Sequence, residues 1–304
     1  MLTASPELWP GPMEGVMSPE LIRAADALGL TERWMTPFLR LSTAVPGTRK
    51  LAEFAAPFLE SGLPVTVQLM GNRPEVIAAA AARFMELGAA GINLNFGCPS
   101  RQVTSGGAGG GALRDLAGMV ATVETVKKAI PASPLSVKLR TGWESPDEMQ
   151  RILPALAETG CVSAFFLHFR TVREQYRPVS GREERFEAGL RLAAPVPVVL
   201  NGDIDSPDDA SELLERTGAA GVMCARGWLR DPLLLNRIRQ GRRDNSGLPS
   251  ADEARHRLFR CVLEQGFKVC RAIELSNFLW GSANPFFERL KQLPPTAAVS
   301  RIDL

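Results

Sequence analysis

The stretch VTVQLMGNRPEVIAAAAARFMELGAAGINLN, residues 65–95, contains one complete β-α-β unit. Its first and last runs, VTVQLM (65–70) and GINLN (91–95), are short and apolar in the manner of buried strands. The segment PEVIAAAAARFMELG (74–88) has the apolar spacing of an amphipathic helix. It begins with a proline, whose missing N–H costs nothing there, and ends with a glycine suited to a left-handed cap. The stretch therefore predicts two parallel strands joined by a helix.

The same alternation continues in both directions along the chain. Further strand-like runs are WPGPM (9–13), RWMTPFL (33–39), PLSVKLR (134–140), VSAFFLHF (162–169), VPVVLN (196–201) and AGVMCA (220–225). Helical patterns recur at 116–130 and 206–218. Eight units are typical of a closed parallel barrel, so we predict a (β/α)8 TIM barrel, an α/β fold, over residues 1–240. An open doubly wound sheet is the alternative, but PMEGVM (12–17) replaces its G-x-G-x-x-G turn.

The chain changes character after the eighth unit. GRRDNSGLPS (241–250) is polar and rich in turn-forming residues, which is typical of a linker. Ser250 and Glu253 make a capping-box pattern at the start of the next segment. Three helices are predicted there, at 251–267, at 269–280 and from Asn284 onward. We therefore expect a small C-terminal helical domain over residues 251–304.

The composition limits the class of protein. With 304 residues, 45% hydrophobic and 22% charged, the chain resembles an ordinary soluble globular protein. It shows neither a signal peptide nor an apolar run of about 18 residues, so we expect a cytoplasmic protein without a membrane partner. Five cysteines without a C-x-x-C pair, and only two histidines, argue against a disulfide framework and a metal site. We expect a monomer.

The positive charge is concentrated near the C-terminus. Residues 230–304 carry 13 Lys and Arg against 8 Asp and Glu, although the whole chain has a net charge of only +2. Residues 1–229 are therefore net negative. This asymmetry indicates an acidic partner for the C-terminal tail.

Unusual polar residues follow the strand-like runs at their C-terminal ends, where barrels place their chemistry. They are Asn95 and Cys98, Lys138 and Arg140, His168 and Arg170, Asn201-Gly202-Asp203, and Arg226-Gly227. A single buried cysteine or histidine is usually structural. Together, however, these residues form a ring of polar groups on one rim of the predicted barrel.

Two glycine-bearing loops, NGD (201–203) and ARG (225–227), occupy the place where barrels commonly bind a phosphate through backbone N–H groups. No G-K-[ST] follows the glycine-rich segment 106–111, which excludes a nucleoside-triphosphate P-loop. A phosphate-bearing cofactor would then lie over an amide, a lysine and a histidine. This set suits the pyrimidine edge of a flavin, and its members are Gln68, Lys138 and His168.

Several motifs, in order over about residues 8–240, resemble the tRNA-dihydrouridine synthase family of FMN-dependent barrels. They are PMEGVM, VTVQLMG, NLNFGCPS with its glycine-rich sequel, SVKLRTGW, LHFRT, NGDI and ARGWLRDP. The resemblance implies an FMN, reduced by NADPH, that gives a hydride to C6 of a uridine in tRNA. The length and the surroundings of Trp143 are most similar to the bacterial class that modifies D-loop position 16.

The resemblance also implies a role for each matching residue. Cys98 would be the general acid that protonates C5 of the uridine. FMN contacts would be Pro12, Met13, Glu14, Gln68, Lys138, His168, Asn201, Gly202, Asp203, Ala225 and Arg226. Asn95 and Arg170 would contact the substrate. Because the tail is basic, we expect phosphate contacts with tRNA there, at Arg255, Arg257, Arg260, Lys268 and Arg271.

The chain departs from the family pattern at three positions. Asn93 replaces an acidic residue, Phe169 replaces a small one, and Ile273 replaces a basic one in the tail. The glycines at 106–111 are expected to form a loop that admits RNA and closes over it. Two alternatives remain open: an FMN-dependent reductase or dehydrogenase of a free pyrimidine or other small enone, and an RNA-binding paralogue without turnover.

Overall fold

The structure is a computed structural model that describes residues 5–241, 247–296 and 298–299. Parallel strands form a nearly closed barrel, which confirms the predicted TIM barrel. The strands are β1 Glu7–Pro10, β2 Trp34–Met35, β3 Leu39–Arg40, β4 Val65–Met70, β5 Gly91–Phe96, β6 Leu135–Arg140, β7 Ala164–His168, β8 Val198–Asn201 and β9 Gly221–Cys224. Hydrogen bonding connects them in the order β1-β9-β8-β7-β6-β5-β4-β2, and β3 also pairs with β4.

The second strand position is divided into β2 and β3, although the sequence predicts one run over 33–39. Both short strands pair in parallel with β4. Pro37 lies between them and has no backbone N–H to donate to the ladder. The interruption therefore has a local cause.

Helices alternate with the strands, and the longer ones pack against the outward faces of the barrel. They are α1 Pro19–Ala27, α2 Thr48–Leu59, α3 Pro74–Glu86, α4 Arg101–Thr104, α5 Leu116–Ala129, α6 Met149–Glu158, α7 Arg182–Ala193, α8 Pro207–Thr217, α9 Arg226–Arg230 and α10 Leu234–Gln240. Outward-facing Val67 and Leu69 of β4 join Ile77 and Phe84 of α3 in one buried core. The helix α8 is capped at both ends, since the Ser206 side chain accepts a hydrogen bond from the Asp209 N–H and Gly218 adopts the left-handed conformation. None of the described helices is long and apolar enough to cross a membrane.

Inside the barrel, one group of side chains is apolar. Its members come from β1, β2, β7, β8 and β9, and they are Trp9, Met35, Phe166, Val199 and Met223. The inward side chains of β4, β5 and β6 are instead largely polar, and they are Gln68, Asn93, Asn95, Ser136 and Lys138. The barrel interior therefore has an apolar part and a polar part, and the polar part includes β5, the strand that leads into the loop carrying Cys98.

Three helices, α11 Ala251–Leu263, α12 Val269–Trp280 and α13 Phe287–Lys291, are present in the C-terminal region as predicted. The first helix forms the predicted capping box but ends at Leu263, earlier than expected. A turn follows in which Gly266 has a positive φ of 81°, and β10 Phe267–Lys268 then pairs antiparallel with β11 Ala298–Val299. The helices α11 and α12 pack against α1 and α9. Of the proposed linker 241–250, residues 242–246 lie outside the described residues.

Candidate active site at the barrel mouth

Parallel register brings the predicted rim residues side by side. Lys138 lies opposite Asn95 in the β5–β6 pair, and Arg140 lies opposite His168 in the β6–β7 pair. His168 in turn lies opposite Asn201 of β8. The C-terminal ends of four consecutive strands thus present an amide, a lysine, an arginine, a histidine and a second amide to one mouth.

A chain of buried side-chain amides lies directly beneath this mouth. Asn95 Nδ2 donates to Gln68 Oε1 at 2.8 Å, and Gln68 Nε2 donates to Asn93 Oδ1 at 2.8 Å. Asn93 Nδ2 then donates to Ser136 Oγ at 2.9 Å. All four residues are buried, and a fully bonded buried network holds its members in one arrangement. Asn93, which replaces an acidic residue of the family pattern, accepts the hydrogen bond from Gln68 Nε2 and so helps to orient the Gln68 amide.

The same network reaches the loop that carries Cys98. Asn95 Oδ1 accepts hydrogen bonds from the backbone N–H groups of Gly97 and Cys98, each at 3.0 Å. Cys98 itself is partly exposed and lines a cavity of about 450 Å³ at the mouth. The position of the Cys98 backbone is therefore fixed by a side chain of the barrel interior.

Part of the glycine-rich segment after Cys98, Gly109–Gly111, packs tightly where a loop that closes over RNA was expected. Gly109–Arg114 forms a 3-10 helix whose first three glycines are buried, and the Gly110 N–H donates to the Cys98 carbonyl at 2.9 Å. A Cβ on Gly110 would lie 2.9 Å from that oxygen, and one on Gly111 would lie 2.6 Å from the Thr104 carbonyl oxygen. These glycines allow backbone to approach backbone beneath the Cys98 loop.

Lys138 and His168, at the mouth, both have lowered pKa values. Burial, followed by the charge of Arg140, lowers the pKa of Lys138 to about 8, although the nearby Cys98 opposes the shift. Burial and the neighbouring cations hold the pKa of His168 well below its usual value, so the ring is neutral at pH 7. His168 Nδ1 accepts from the Arg170 N–H at 3.2 Å, which leaves the ring proton on Nε2. The Lys138 ammonium group makes no hydrogen bond with a described residue.

The loop after β8 organises two arginines around one carboxylate. Asp203 forms ion pairs with Arg170 and with Arg226, the latter at 2.7 Å, and these pairs lower the pKa of Asp203 although burial opposes the shift. A Cβ on Gly202 would lie 2.8 Å from the Phe169 ring, which itself stacks on His168. Phe169 therefore packs flat against one face of the His168 ring. Arg170 Nη1 is buried and has no partner among the described residues.

The loop after β1 lies against the loop after β9. The Gly11 N–H donates to the Cys224 carbonyl at 2.7 Å, and a Cβ on Gly11 would lie 2.7 Å from that of Ala225. The segment Pro12–Glu14 therefore leaves β1 next to the loop that begins at Ala225. Part of the predicted cofactor set thus lies on the β8–β9–β1 side of the mouth, whereas Gln68, Lys138 and His168 lie on β4, β6 and β7.

The predicted rim included Arg140 without a role and did not include Tyr176. Arg140 donates through Nε to the Gly97 carbonyl at 2.9 Å, so it also supports the Cys98 loop. Tyr176 is 59% exposed, lines the same cavity as Cys98, and has the Arg140 and Arg226 guanidinium carbons 5.3 and 5.7 Å from its ring centre. In the sequence, Arg140 stands out because it ends a motif strand, and Tyr176 because it is the single tyrosine.

The basic residues predicted to contact RNA lie on the C-terminal helices and β10, outside the strand ends that form the mouth. Three are exposed and make no ion pair with a described carboxylate: Arg257, Arg260 and Lys268. Arg255 donates to Asp252 at 2.8 Å and to the Leu279 carbonyl at 3.3 Å, and it packs against Trp280. Arg271 pairs with Glu274 at 3.3 Å.

Fold and mouth together define a class of protein: a parallel β/α barrel whose mouth combines a thiol with amide, lysine and histidine groups. The family model described as "Dihydrouridine synthase (Dus)" matches residues 10–294, so the chain belongs to the dihydrouridine synthase family, a family of oxidoreductases. Within the described residues, no cluster of three or more His, Cys, Asp or Glu could hold a metal ion.

Relatives with assigned names are similar over most of the chain. The tRNA-dihydrouridine(16) synthase of Vibrio parahaemolyticus is 31% identical over 235 residues, 75% of this chain and 72% of that protein. The tRNA-dihydrouridine(16) synthase of Pseudomonas putida is 34% identical over 245 residues, 76% of this chain and 73% of that protein. The tRNA-dihydrouridine synthase B of Pseudomonas aeruginosa is 34% identical over 188 residues, 62% and 56% of the two chains.

Solved structures share the fold at low sequence identity. A 2-naphthoyl-CoA reductase complex has a TM-score of 0.57 at 12% identity, covering 77% of this chain and 50% of that chain. A variant of NCR from Zymomonas mobilis has a TM-score of 0.53 at 14% identity, covering 77% and 86%. These similarities concern the barrel fold alone.

Replacing Gly111 with alanine should destabilise the protein, because the new Cβ would lie 2.6 Å from the Thr104 carbonyl oxygen and the backbone would have to shift. We expect a loss of about 1–3 kcal/mol in the free energy of unfolding, measured by urea denaturation. Gly106→Ala is the matched control, since its Cβ would meet nothing closer than 3.7 Å. Equal stability of the two variants would show that the segment is not packed as described.

Replacing Lys138 with methionine should stabilise the ligand-free protein at pH 7 by about 1–3 kcal/mol, because a partly buried charge is removed. The folded-state pKa of about 8 lies below the reference value of 10.5. The cost of the charge is therefore fully present below pH 8 and disappears as the pH rises towards 10.5. Urea denaturation at pH 7 and pH 10 measures this, with exposed Lys128→Met as control. A gain independent of pH would contradict the lowered pKa.

Proposed function

We propose that this protein reduces a specific uridine of tRNA, at D-loop position 16, to 5,6-dihydrouridine, using FMN as cofactor and NADPH as reductant. The observation that carries the proposal is the Cys98 thiol, held at the mouth of a dihydrouridine synthase barrel by the side chain of Asn95. The choice of position 16 rests on relatives named as tRNA-dihydrouridine(16) synthases.

The donor set of the mouth fits a flavin mononucleotide. Lys138 and the Nε2–H of His168 are donors without a protein partner among the described residues, which suits the carbonyl and nitrogen acceptors of the pyrimidine edge. Gln68 would contribute its amide. The loops at 201–203 and 225–227 would hold the phosphate through backbone N–H groups and Arg226, which Asp203 keeps in place. Pro12, Met13 and Glu14, in the loop after β1, would contact the FMN on the side next to these two loops.

Reduced FMN bound there would supply the hydride that adds to C6 of the uridine. Cys98 would hold a proton on Sγ and give it to C5, so that the C5–C6 double bond gains two hydrogens in total. The thiolate would then regain a proton from solvent. Asn95 would hold the Cys98 loop in position at the mouth, because its side-chain oxygen accepts hydrogen bonds from the Gly97 and Cys98 N–H groups.

The base would have to leave its stack to reach this mouth. The cavity of about 450 Å³ between Cys98 and Tyr176 is where it would enter. The buried Nη1 of Arg170, which has no partner among the described residues, would donate to an acceptor of the base, while Arg140 and Asn95 would hold the Cys98 loop. The exposed cations of the C-terminal region, Arg257, Arg260 and Lys268, would contact tRNA phosphates. Arg255 and Arg271 would join them only by releasing their present acidic partners.

Replacing Cys98 with alanine should leave FMN bound and reducible by NADPH while dihydrouridine formation falls by about 10²–10⁴-fold, as expected for loss of a general acid. Flavin absorbance gives the cofactor content, and mass spectrometry of digested tRNA gives the product. Cys270→Ala, which removes an exposed thiol, should behave like the parent protein. Loss of flavin from the Cys98 variant, or undiminished product, would refute this role.

Replacing Arg257 and Arg260 together with glutamine should raise the KM for tRNA severalfold with little change in kcat, because phosphate contacts support binding and do not enter the chemistry. Steady-state rates of dihydrouridine formation at varied tRNA concentration measure both constants. An unchanged KM would mean that α11 does not contact the RNA.

A further inference from the structure

A second cavity, of about 700 Å³, adjoins the one that contains Cys98. The two cavities share Pro99, Arg101 and Gln175 in their linings. The larger one is formed by the segments that follow β5, β6 and β7, and the functional assignments above leave it unused. Four arginines line it, and no Asp or Glu does: Arg101, Arg114, Arg173 and Arg177. We call this surface the arginine groove.

Several of these arginines are held in place by the protein itself. Arg114 Nη2 donates to the Thr104 carbonyl at 3.1 Å, and its guanidinium carbon lies 4.3 Å from the centre of a Trp143 ring. Arg177 Nη2 donates to the Arg173 carbonyl at 2.6 Å. The Arg173 guanidinium also lies beside Trp143, at 5.7 Å. Side chains ordered in advance lose less conformational entropy when an anion binds.

The charge of the groove is mostly unneutralised. Across the described part of the chain, no carboxylate pairs with Arg101, Arg114 or Arg177, and only Arg173 has an acidic partner, Glu144 at 3.1 Å. The surrounding residues 1–229 are net negative, so the groove is a local exception. Clustered cations in a concave surface attract an extended anion more strongly than the same charges dispersed.

The position of the groove also suits a strand that crosses the mouth. It lies on the β5–β7 side of the barrel, whereas the C-terminal helices pack on α1 and α9, beside β1 and β9. In an eight-position barrel these are opposite sides. Cys98 lies next to the groove, in the cavity that shares Pro99, Arg101 and Gln175 with it. An RNA that contacts the basic tail and delivers a nucleotide to Cys98 would continue into the groove.

We propose that the arginine groove binds the ribose-phosphate backbone of the RNA strand next to the uridine that enters the active site. This inference rests on the proposed function, since it takes tRNA as the substrate. Arginine suits the role because its planar guanidinium donates two parallel hydrogen bonds to a phosphate. The groove would hold the strand while its neighbouring nucleotide is turned towards Cys98.

The test is a double variant, Arg101→Gln with Arg173→Gln, in the full-length protein with FMN bound. Both side chains are exposed, so the fold should tolerate the change. We expect about tenfold weaker binding of unmodified tRNA at moderate salt, and a log-affinity against log-salt slope smaller in magnitude by about one to two. Lys128→Gln with Arg191→Gln is the matched control, because it removes two exposed charges from the ends of α5 and α7 farthest from the mouth.

The experiment distinguishes failure of the groove proposal from failure of the proposed function. Should the parent bind tRNA and the groove variant bind it with the same affinity and salt slope, the groove proposal is overturned and the proposed function stands. An equal loss in the control variant would also overturn it, because the effect would then reflect net charge alone. If tRNA binding is preserved and NADPH oxidation slows, the groove holds the dinucleotide instead. A parent protein without affinity for tRNA would refute the proposed function as well.

Discussion

The side-chain amide of Asn95 is the interaction on which the arrangement of the mouth depends. Its nitrogen donates to Gln68 inside the barrel, and its oxygen accepts the N–H groups of Gly97 and Cys98 outside it. One planar group thus couples the buried amide network to the loop that carries the thiol. Removing it would leave several buried polar groups unpaired at once, which costs more than the loss of a single hydrogen bond.

This arrangement places polar groups where a barrel would otherwise gain stability from apolar packing. Gln68, Asn93 and Ser136 occupy interior positions, and Lys138 keeps a pKa of about 8 because its charge is poorly solvated. The outward faces of the strands compensate through a continuous apolar core shared with the surrounding helices. The barrel can therefore tolerate buried polar groups and a poorly solvated charge at one end, an arrangement that is common at functional sites.

Elements with local sequence signals were predicted well. The helix α12 coincides with the predicted 269–280, and the strands β4 to β9 lie within a residue or two of their apolar runs, because periodicity, caps and prolines are properties of neighbouring residues. The polar rim could be predicted because parallel strands place their C-terminal ends at the same mouth of a barrel. By contrast, the hydrogen bond between Gln68 and Asn93 joins residues 25 positions apart, and no local pattern indicates it. The packing of Gly110 against Val172, and the arginine groove, also depend on contacts between distant loops.

The most direct measurement is mass spectrometry of an unmodified tRNA transcript after incubation with the protein, FMN and NADPH. We predict that one uridine of the D-loop gains two hydrogens and that free uracil is not reduced under the same conditions. A transcript of unchanged mass, together with NADPH-dependent reduction of free uracil, would contradict the assignment and identify a reductase of a free pyrimidine.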